Sequence, residues 1–318
     1  MSPAPSAVLE FRGVSQYFRG PRGGVVVAAE NINLSIRQGE VLALVGESGS
    51  GKTTIGRLSV GLRKPSRGQI LLDGKDLQKY KKAELRRKAQ YIHQDPYSAL
   101  DPYLSVREVL ERPLIYIKGI KEESRREDIM LAMLDSMGLE GFILAKSVYE
   151  LSGGQKQRIL LARAFVIGPE YVVADEPTTM IDFVRRTEVM ALLSGLKRMM
   201  GTSVLLITHD VSVASELSDR VAVMYRGEIV EDGATQDVLK NPLHPYTLAL
   251  LFVTPENLMK RGAPPAVSKH VNVNIPPGFE GCRYSFSCPY AFDRCRKERP
   301  TLVEVSGGRK VACFKVTG

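Results

Sequence analysis

The sequence predicts an α/β fold with a largely parallel sheet, a helical insertion and a small cysteine-bearing tail. Short apolar runs alternate with helix-like stretches, in chain order at residues 41–45, 53–62, 171–174, 185–200 and 204–208. This alternation is typical of strands buried on both faces and joined by helices. Between about residues 95 and 168 the apolar residues recur at helical spacing, with few strand signals. All four cysteines lie in the last 40 residues.

Composition places the chain among ordinary folded proteins. Of its 318 residues, 44% are hydrophobic and 25% are charged, which argues against extensive disorder. No apolar run approaches the roughly 18 to 20 residues that a membrane-spanning helix needs. The first residues show neither a charged nor an apolar signal region, so we expect a cytoplasmic chain.

The net charge of +9 raises the question of nucleic-acid binding. The basic residues are scattered, and their one local cluster, at residues 79–88, is explained by a solvated helix face. We therefore expect no nucleic-acid partner.

A phosphate-binding loop is the strongest motif. Residues 46–53 read Gly-Glu-Ser-Gly-Ser-Gly-Lys-Thr between a predicted strand and a predicted helix, which is the P-loop pattern. Its backbone N–H groups would surround phosphate oxygens, Lys52 would reach the outer phosphates and the Thr53 hydroxyl would bind Mg²⁺. The predicted ATP contacts are Gly46, Ser48, Gly49, Ser50, Gly51, Lys52, Thr53 and Thr54.

Two acidic residues follow an apolar strand. Asp175 and Glu176 end the run 171–174, at the edge of a parallel sheet where the loop also lies. Asp175 would hold the Mg²⁺ shell, and Glu176 would act as the general base on the attacking water.

A second candidate anion site opens a later helix. Residues 151–155 read Leu-Ser-Gly-Gly-Gln, and a helix N-terminus with serine and glycines can bind an anion through its backbone. The predicted contacts are Leu151, Ser152, Gly153, Gly154 and Gln155. An ordinary helix cap is the alternative for Ser152.

The four cysteines suggest a metal site, because disulfides seldom persist in the cytoplasm. Cys282, Cys288, Cys295 and Cys313 are separated by 5, 6 and 17 residues, unlike the paired spacing of most zinc ribbons. An iron-sulfur cluster, zinc and unligated thiols all remain open on spacing alone.

Together, these motifs resemble the nucleotide-binding subunits of ATP-binding-cassette (ABC) proteins over residues 8–242. The resemblance implies a RecA-like P-loop core with an antiparallel β subdomain and an inserted helical subdomain. It also implies that two subunits stack head to tail, so that residues 151–155 of one close over ATP on the loop of the other.

The same resemblance assigns further residues. Gln94 matches the loop that touches Mg²⁺ and the membrane partner, and His209 matches the switch histidine at the γ-phosphate. Phe18 or its neighbour Tyr17 matches the aromatic that stacks on adenine. Residues 177–182 read Pro-Thr-Thr-Met-Ile-Asp, where the family more often has Ser-Ala-Leu-Asp, so Asp182 matches the family although the residues before it differ.

Residues 241–247, Asn-Pro-Leu-His-Pro-Tyr-Thr, and the tail resemble the oligopeptide and dipeptide importer branch. In some members a similar tail binds a [4Fe-4S] cluster through four cysteines. The implied organisation is a nucleotide-binding domain at 1–245 and an extension at 246–318. The implied partners are a second, related ATPase subunit, two transmembrane permease subunits and, indirectly, an extracytoplasmic binding protein, with the chain at the cytoplasmic face of the membrane.

Alternative functions remain for the chain. Close relatives carry oligosaccharides or nickel chelates instead of peptides. A soluble ABC ATPase acting on DNA or ribosomes is disfavoured, because Gly51 and Leu151 are only 100 positions apart, which leaves no room for a long coiled coil. An iron-sulfur protein with a vestigial ATPase is disfavoured by the complete set of catalytic residues.

Overall fold

The computed structural model describes residues 6–20, 24–178, 183–252, 275 and 278–318, without the side chains of 183–185. Its strands are β1 Ala7–Arg19, β2 Val25–Arg37, β3 Val41–Val45, β4 Arg67–Leu72, β5 Lys75–Asp76, β6 Ala89–Ile92, β7 Tyr171–Asp175, β8 Ser203–Thr208, β9 Arg220–Tyr225, β10 Glu228–Ala234, β11 Val303–Ser306 and β12 Arg309–Val311. Its α-helices are α1 Lys52–Ser59, α2 Lys82–Lys88, α3 Pro96–Ala99, α4 Val106–Pro113, α5 Glu123–Ser136, α6 Gly153–Phe165, α7 Phe183–Met200, α8 Val211–Leu217, α9 Thr235–Lys240, α10 Pro245–Phe252, α11 Asp293–Lys297 and α12 Phe314–Thr317.

The apolar runs of the sequence form the centre of an eight-stranded sheet in the order β11-β12-β10-β9-β3-β8-β7-β6. The five strands from β9 to β6 are parallel, whereas β10, β12 and β11 join one edge as antiparallel strands. Every residue of β3, β7 and β8 is buried, as continuous apolar runs predict. The predicted α/β core is confirmed.

Side-chain alternation divides the core between the two faces of this sheet. On β3, Val41, Ala43 and Val45 pack toward the helical side, while Leu42 and Leu44 pack toward the other side. Successive strand residues point to opposite faces, so one short run supplies both layers.

A second sheet covers the face opposite the helical insertion. It is antiparallel in the order β2-β1-β4-β5, and its apolar residues join Leu42 and Leu44 in one cluster. This sheet is the β subdomain that the sequence resemblance implies.

The stretch predicted to be helical contains α3 to α6, with a π-helical segment Leu114–Lys118 and short 3₁₀ segments between them. Ser105 and Glu108 form a reciprocal capping box at the start of α4, which fixes where that helix begins. The bounds 95–168 and 1–245 as domain limits stay predictions.

The described part of the tail packs directly on the cassette. Strand β12 pairs with β10, and Arg309 of β12 forms an ion pair with the fully buried Glu231 of β10. Arg283 makes ion pairs with Glu30 and Glu228 at 3.2 and 3.0 Å. Among the described residues, no helix is both long and apolar enough to cross a membrane.

Candidate nucleotide site

The phosphate-binding loop leaves β3 and enters α1 through glycines that no other residue could replace easily. Gly51 has φ of 108°, and a Cβ atom there would stand 2.0 Å from the carbonyl oxygen of Ala28. At Gly46 a Cβ atom would lie 2.2 Å from the carbonyl oxygen of Met224. The loop is therefore pressed against neighbouring backbone in a shape that exposes its own N–H groups.

Lys52 lies folded into this loop. Its Nζ donates hydrogen bonds to the carbonyl oxygens of Gly46 at 2.7 Å and Glu47 at 2.8 Å. Burial lowers the pKa of the Lys52 ammonium, and the nearby carboxylates of Glu176 and Asp175 oppose that shift. A buried ammonium held by two carbonyls is ready to move onto phosphate oxygens.

Thr53 and Asp175 meet behind the loop. The Thr53 hydroxyl donates to Asp175 Oδ1 at 3.3 Å, and the Tyr91 hydroxyl donates to Asp175 Oδ2 in a short hydrogen bond. Burial raises the pKa of the Asp175 carboxyl. A divalent cation favours such adjacent oxygen donors, so this pair fits the predicted Mg²⁺ role.

Glu176, His209 and Gln94 come together at the other end of the site. Glu176 Oε2 lies 3.0 Å from His209 Nδ1 and 3.5 Å from Gln94 Nε2. Glu176 has φ of 48°, a left-handed conformation that costs free energy for a non-glycine residue, and its backbone N–H donates to the Ile207 carbonyl. The strained turn aims a carboxylate away from the strand and toward the loop.

One open cavity of about 800 Å³ joins these parts. Its lining includes Lys52, Thr53, Gln94, Glu176 and His209. The lining also includes Gly46, Ser48, Gly49, Gly51 and Thr54 of the predicted loop contacts. Two predicted residues lie behind this surface: Ser50 is buried, and Asp175 is reached through Thr53.

The structure distinguishes between the two residues predicted to stack on adenine. Phe18 lines the cavity beside Val26 and Val27, with the Arg63 guanidinium 4.6 Å from its ring centroid. Tyr17 does not line it, because neighbouring strand residues face opposite ways; its hydroxyl instead donates to Glu30 at 2.9 Å. Phe18 therefore fits the adenine-stacking role better than Tyr17, and the assignment stays a prediction.

The Leu-Ser-Gly-Gly-Gln segment lies away from this cavity in the same chain. Ser152 is exposed and caps α6 through a reciprocal box with Gln155, whereas Leu151 is buried. Gly153 and Gly154 begin the helix and are partly exposed. None of the five lines the loop cavity, and the predicted Asp182 falls outside the described residues.

Two residues at the site, Tyr91 and Leu250, belong to none of the motifs recognised in the sequence. Tyr91 holds the Asp175 carboxylate from the neighbouring strand β6, and Leu250 of α10 closes one side of the cavity. Tyr91 could be suspected from the sequence, because parallel strands end together and β6 ends two residues before Gln94. Leu250 has no comparable signal, since its place depends on how α10 packs.

The four cysteines line one small pocket, with about 20 Å³ of free space, together with Tyr284 and Tyr290. Burial raises the pKa of the Cys282 thiol to about 12 and also raises the pKa values of Cys288 and Cys313. Across the described residues, no three Cys, His, Asp or Glu side chains are grouped in a geometry that could hold a metal ion.

Comparison with protein families matches two parts of the chain. Residues 29–179 match the model described as ABC transporter, and residues 230–295 match the model described as oligopeptide/dipeptide transporter, C-terminal region. A Brucella ovis protein named "Putative peptide import ATP-binding protein" is 37% identical over 97% of this chain and 98% of its own. The dipeptide transport ATP-binding protein DppF of Haemophilus influenzae is 35% identical over 92% of this chain and 90% of its own.

Solved structures agree with this result. The ATP-binding cassette MJ0796, in a dimeric post-hydrolysis state with ADP and Pi, is 30% identical, covers 71% of this chain and 98% of its own, and gives a TM-score of 0.65. The cbiO1 protein of Clostridium perfringens, 27% identical, covers 80% of this chain and 99% of its own, with a TM-score of 0.66. Since the fold, the loop cavity and the full-length relatives agree, the chain belongs to the ATP-binding subunits of ABC transporters.

Proposed function

We propose that this chain is the motor subunit of an importer of di- and oligopeptides, which uses ATP hydrolysis to drive its membrane partners. One observation carries the proposal: the loop, Glu176 and the switch histidine His209 face a single open cavity, and Asp175 lies directly behind Thr53. The C-terminal region match and the peptide-import relatives support the branch and the cargo.

In this mechanism the chain positions ATP and water and stabilises developing charge. The loop amides and Lys52 hold the phosphates, and Glu176 takes a proton from the water that attacks the γ-phosphorus. His209 Nδ1 lies 3.0 Å from Glu176 and would orient that carboxylate. The resemblance also assigns His209 a contact with the γ-phosphate. In-line attack needs little more than this alignment, because the transition state is largely dissociative.

Thr53 and Asp175, with Gln94 opposite, would hold Mg²⁺. Their oxygen atoms are the donors that this hard cation prefers, and the hydroxyl and carboxylate are already adjacent. The cation, when bound, neutralises charge on the β- and γ-phosphate oxygens. Tyr91 keeps the Asp175 carboxylate in place while nucleotide enters and leaves.

A second ATPase subunit would complete the site. The solvent-facing Ser152 at the start of α6 lies outside its own chain's cavity, as a residue would that serves a neighbour's nucleotide. The MJ0796 cassette forms a dimer, which supports the same arrangement here. We infer that this partner is a related but different chain, as the sequence resemblance implies.

Permease subunits would dock in a groove of about 530 Å³ between the core and the helical insertion. His93 lines this groove, and the next residue, Gln94, lines the nucleotide cavity. Consecutive residues therefore face the two sites, which provides a short path for coupling them. Tyr116, which is 77% exposed at the groove, offers an apolar anchor for a permease helix.

A substitution at the groove tests this docking. Tyr116→Asp should reduce co-purification with the permease while leaving ATP binding intact. The matched control Phe142→Asp changes another exposed aromatic of the helical insertion, outside the groove. Equal loss of permease with both variants would contradict the proposed surface.

The cysteine pocket would hold a [4Fe-4S] cluster through Cys282, Cys288, Cys295 and Cys313. Four thiols around one pocket suit a cluster, in which each iron takes one thiolate, better than a single zinc ion that needs its ligands at one point. With only about 20 Å³ free, the cysteine-bearing loops must move apart to admit it. The cluster would have a structural role, securing the tail.

Iron analysis separates the alternatives for the tail. Protein purified without oxygen should contain about four iron and four sulfide per chain and absorb visible light. Cys288→Ser should lose the absorbance and keep ATP binding. Stoichiometric zinc, or neither metal, would contradict the cluster.

The function as a whole is tested by reconstitution in lipid vesicles with candidate permease and binding-protein subunits. ATP hydrolysis should rise when the binding protein carries a peptide, and Lys52→Ala should abolish the rise. Stimulation only by an oligosaccharide or a nickel chelate would contradict the cargo. Stimulation by nucleic acid without the membrane subunits would contradict the transporter role.

A further inference from the structure

A cluster of three tyrosines lies beside the phosphate-binding loop. Tyr225 ends β9, Tyr246 begins α10 and Tyr284 belongs to the tail. The ring centroid of Tyr246 lies 4.5 Å from that of Tyr225 and 5.5 Å from that of Tyr284, and Tyr246 is fully buried. The cluster joins segments that are far apart in sequence.

The Tyr246 hydroxyl reaches the loop itself. It accepts a hydrogen bond from the backbone N–H of Glu47 at 3.0 Å. The carbonyl of the same peptide unit belongs to Gly46 and accepts from Lys52 Nζ at 2.7 Å. A peptide unit is planar and its N–H and C=O point in opposite directions, so any rotation that breaks one bond misaligns the other.

Tyr246 is itself held in place. Its backbone N–H donates to His244 Nδ1 at 3.0 Å, and the backbone N–H groups of Leu243 and His244 donate to the Glu231 carboxylate at 3.0 and 2.9 Å. The same carboxylate pairs with Arg309 of the tail. The hydroxyl thus projects from a buried, hydrogen-bonded support rather than from a loose helix end.

We propose that Tyr246 is a positioning residue of the nucleotide site. Its hydroxyl fixes the peptide between Gly46 and Glu47, and the carbonyl oxygen of that peptide holds the Lys52 ammonium in position before phosphate binds. Tyr246 does not line the cavity, so it would act on the nucleotide through the loop. It lies outside residues 29–179, which match the general ABC transporter model. The inference rests on the proposed nucleotide site.

Tyr246→Phe removes the hydroxyl and keeps the ring. Loss of one buried hydrogen bond should raise the Kd for a fluorescent ATP analogue, and the KM for ATP, by roughly two- to tenfold. The turnover number should change less than KM, and the melting temperature should stay close to that of the wild type. A role in packing alone would lower the melting temperature and leave Kd unchanged.

The matched control is Tyr225→Phe, which removes a hydroxyl from the same cluster without a hydrogen bond to the loop among the described residues. Its Kd should equal that of the wild type. An unchanged Kd in Tyr246→Phe, or an equal increase in both variants, overturns the proposal.

Hydrogen exchange on the wild-type protein tests the proposal without relying on the folding of a variant. The Glu47 amide should be protected from hydrogen exchange in the nucleotide-free chain, and rapid exchange there overturns the proposal. The wild type must also bind ATP, and Lys52→Ala must weaken that binding. Failure of either overturns the nucleotide site and this inference with it.

Discussion

Replacing Glu176 with Gln tests the proposed general base. The amide keeps the size of the side chain and can still hydrogen-bond His209, which lies 3.0 Å away, but it cannot accept a proton from water. The side chain is only 16% exposed, so bulk water is a poor substitute for the carboxylate. Loss of one such group typically costs about 10² to 10³ in rate, or about 2.7–4 kcal/mol.

Phosphate release at saturating ATP measures the turnover number, and a fluorescent ATP analogue measures binding. We expect Glu176→Gln to lose at least about a hundredfold in turnover while its Kd stays within about threefold of the wild type. The control Glu216→Gln neutralises an exposed carboxylate on α8, the helix that follows His209, and should change neither quantity. Turnover near the wild-type value in Glu176→Gln would refute the base assignment.

Three further predictions concern two residues of the nucleotide site and His244, which holds the backbone of Tyr246. His209→Ala should lower turnover by about 10² with a smaller effect on KM, because it removes a group that acts on the γ-phosphate; equal changes in both would point to a loss of binding instead. Phe18→Ala should raise the KM for ATP about five- to a hundredfold, since stacking on a base is worth about 1–3 kcal/mol. Tyr17→Phe should leave KM unchanged. A larger increase in KM for Tyr17→Phe than for Phe18→Ala would favour Tyr17 as the stacking residue. Burial lowers the pKa of His244 to about 3, while the unfolded chain takes up this proton below about 6.5. The stability that the neutral His244 contributes is therefore complete above about pH 6.5 and is lost as pH falls toward 3, so denaturant titrations should show that His244→Asn has a weaker pH dependence than the wild type.

The positions of the candidate site residues could be predicted because each motif is local in sequence, whereas their chemical roles stay predictions. The loop, the strand-end acids and His209 each sit at the end of one predicted strand. Parallel strands bring such ends to one edge, so the sheet assembled them as expected. The sequence left both Tyr17 and Phe18 as candidates for stacking on adenine, because strand β1 carries several bulges and the direction of its side chains cannot be read from alternation alone.

The contribution of the tail was not predictable in the same way. Strands β11 and β12 are short, β11 is exposed, and β12 pairs with β10 where Arg309 forms its buried ion pair with Glu231. The hydrogen bond from Glu47 to Tyr246 likewise joins residues that no motif connects. Contacts of this kind come from long-range packing, which periodicity and spacing do not encode.

A structure of the assembled transporter carrying Glu176→Gln and bound to ATP tests the central claim most directly. We predict that the triphosphate lies on the Lys52 loop of this chain, with the equivalent serine-glycine segment of the neighbouring ATPase subunit within hydrogen-bonding distance of the γ-phosphate, and that Ser152 of this chain lies over the neighbour's nucleotide. Nucleotide contacted by one chain alone, with residues 151–155 facing solvent in the closed state, would contradict the account.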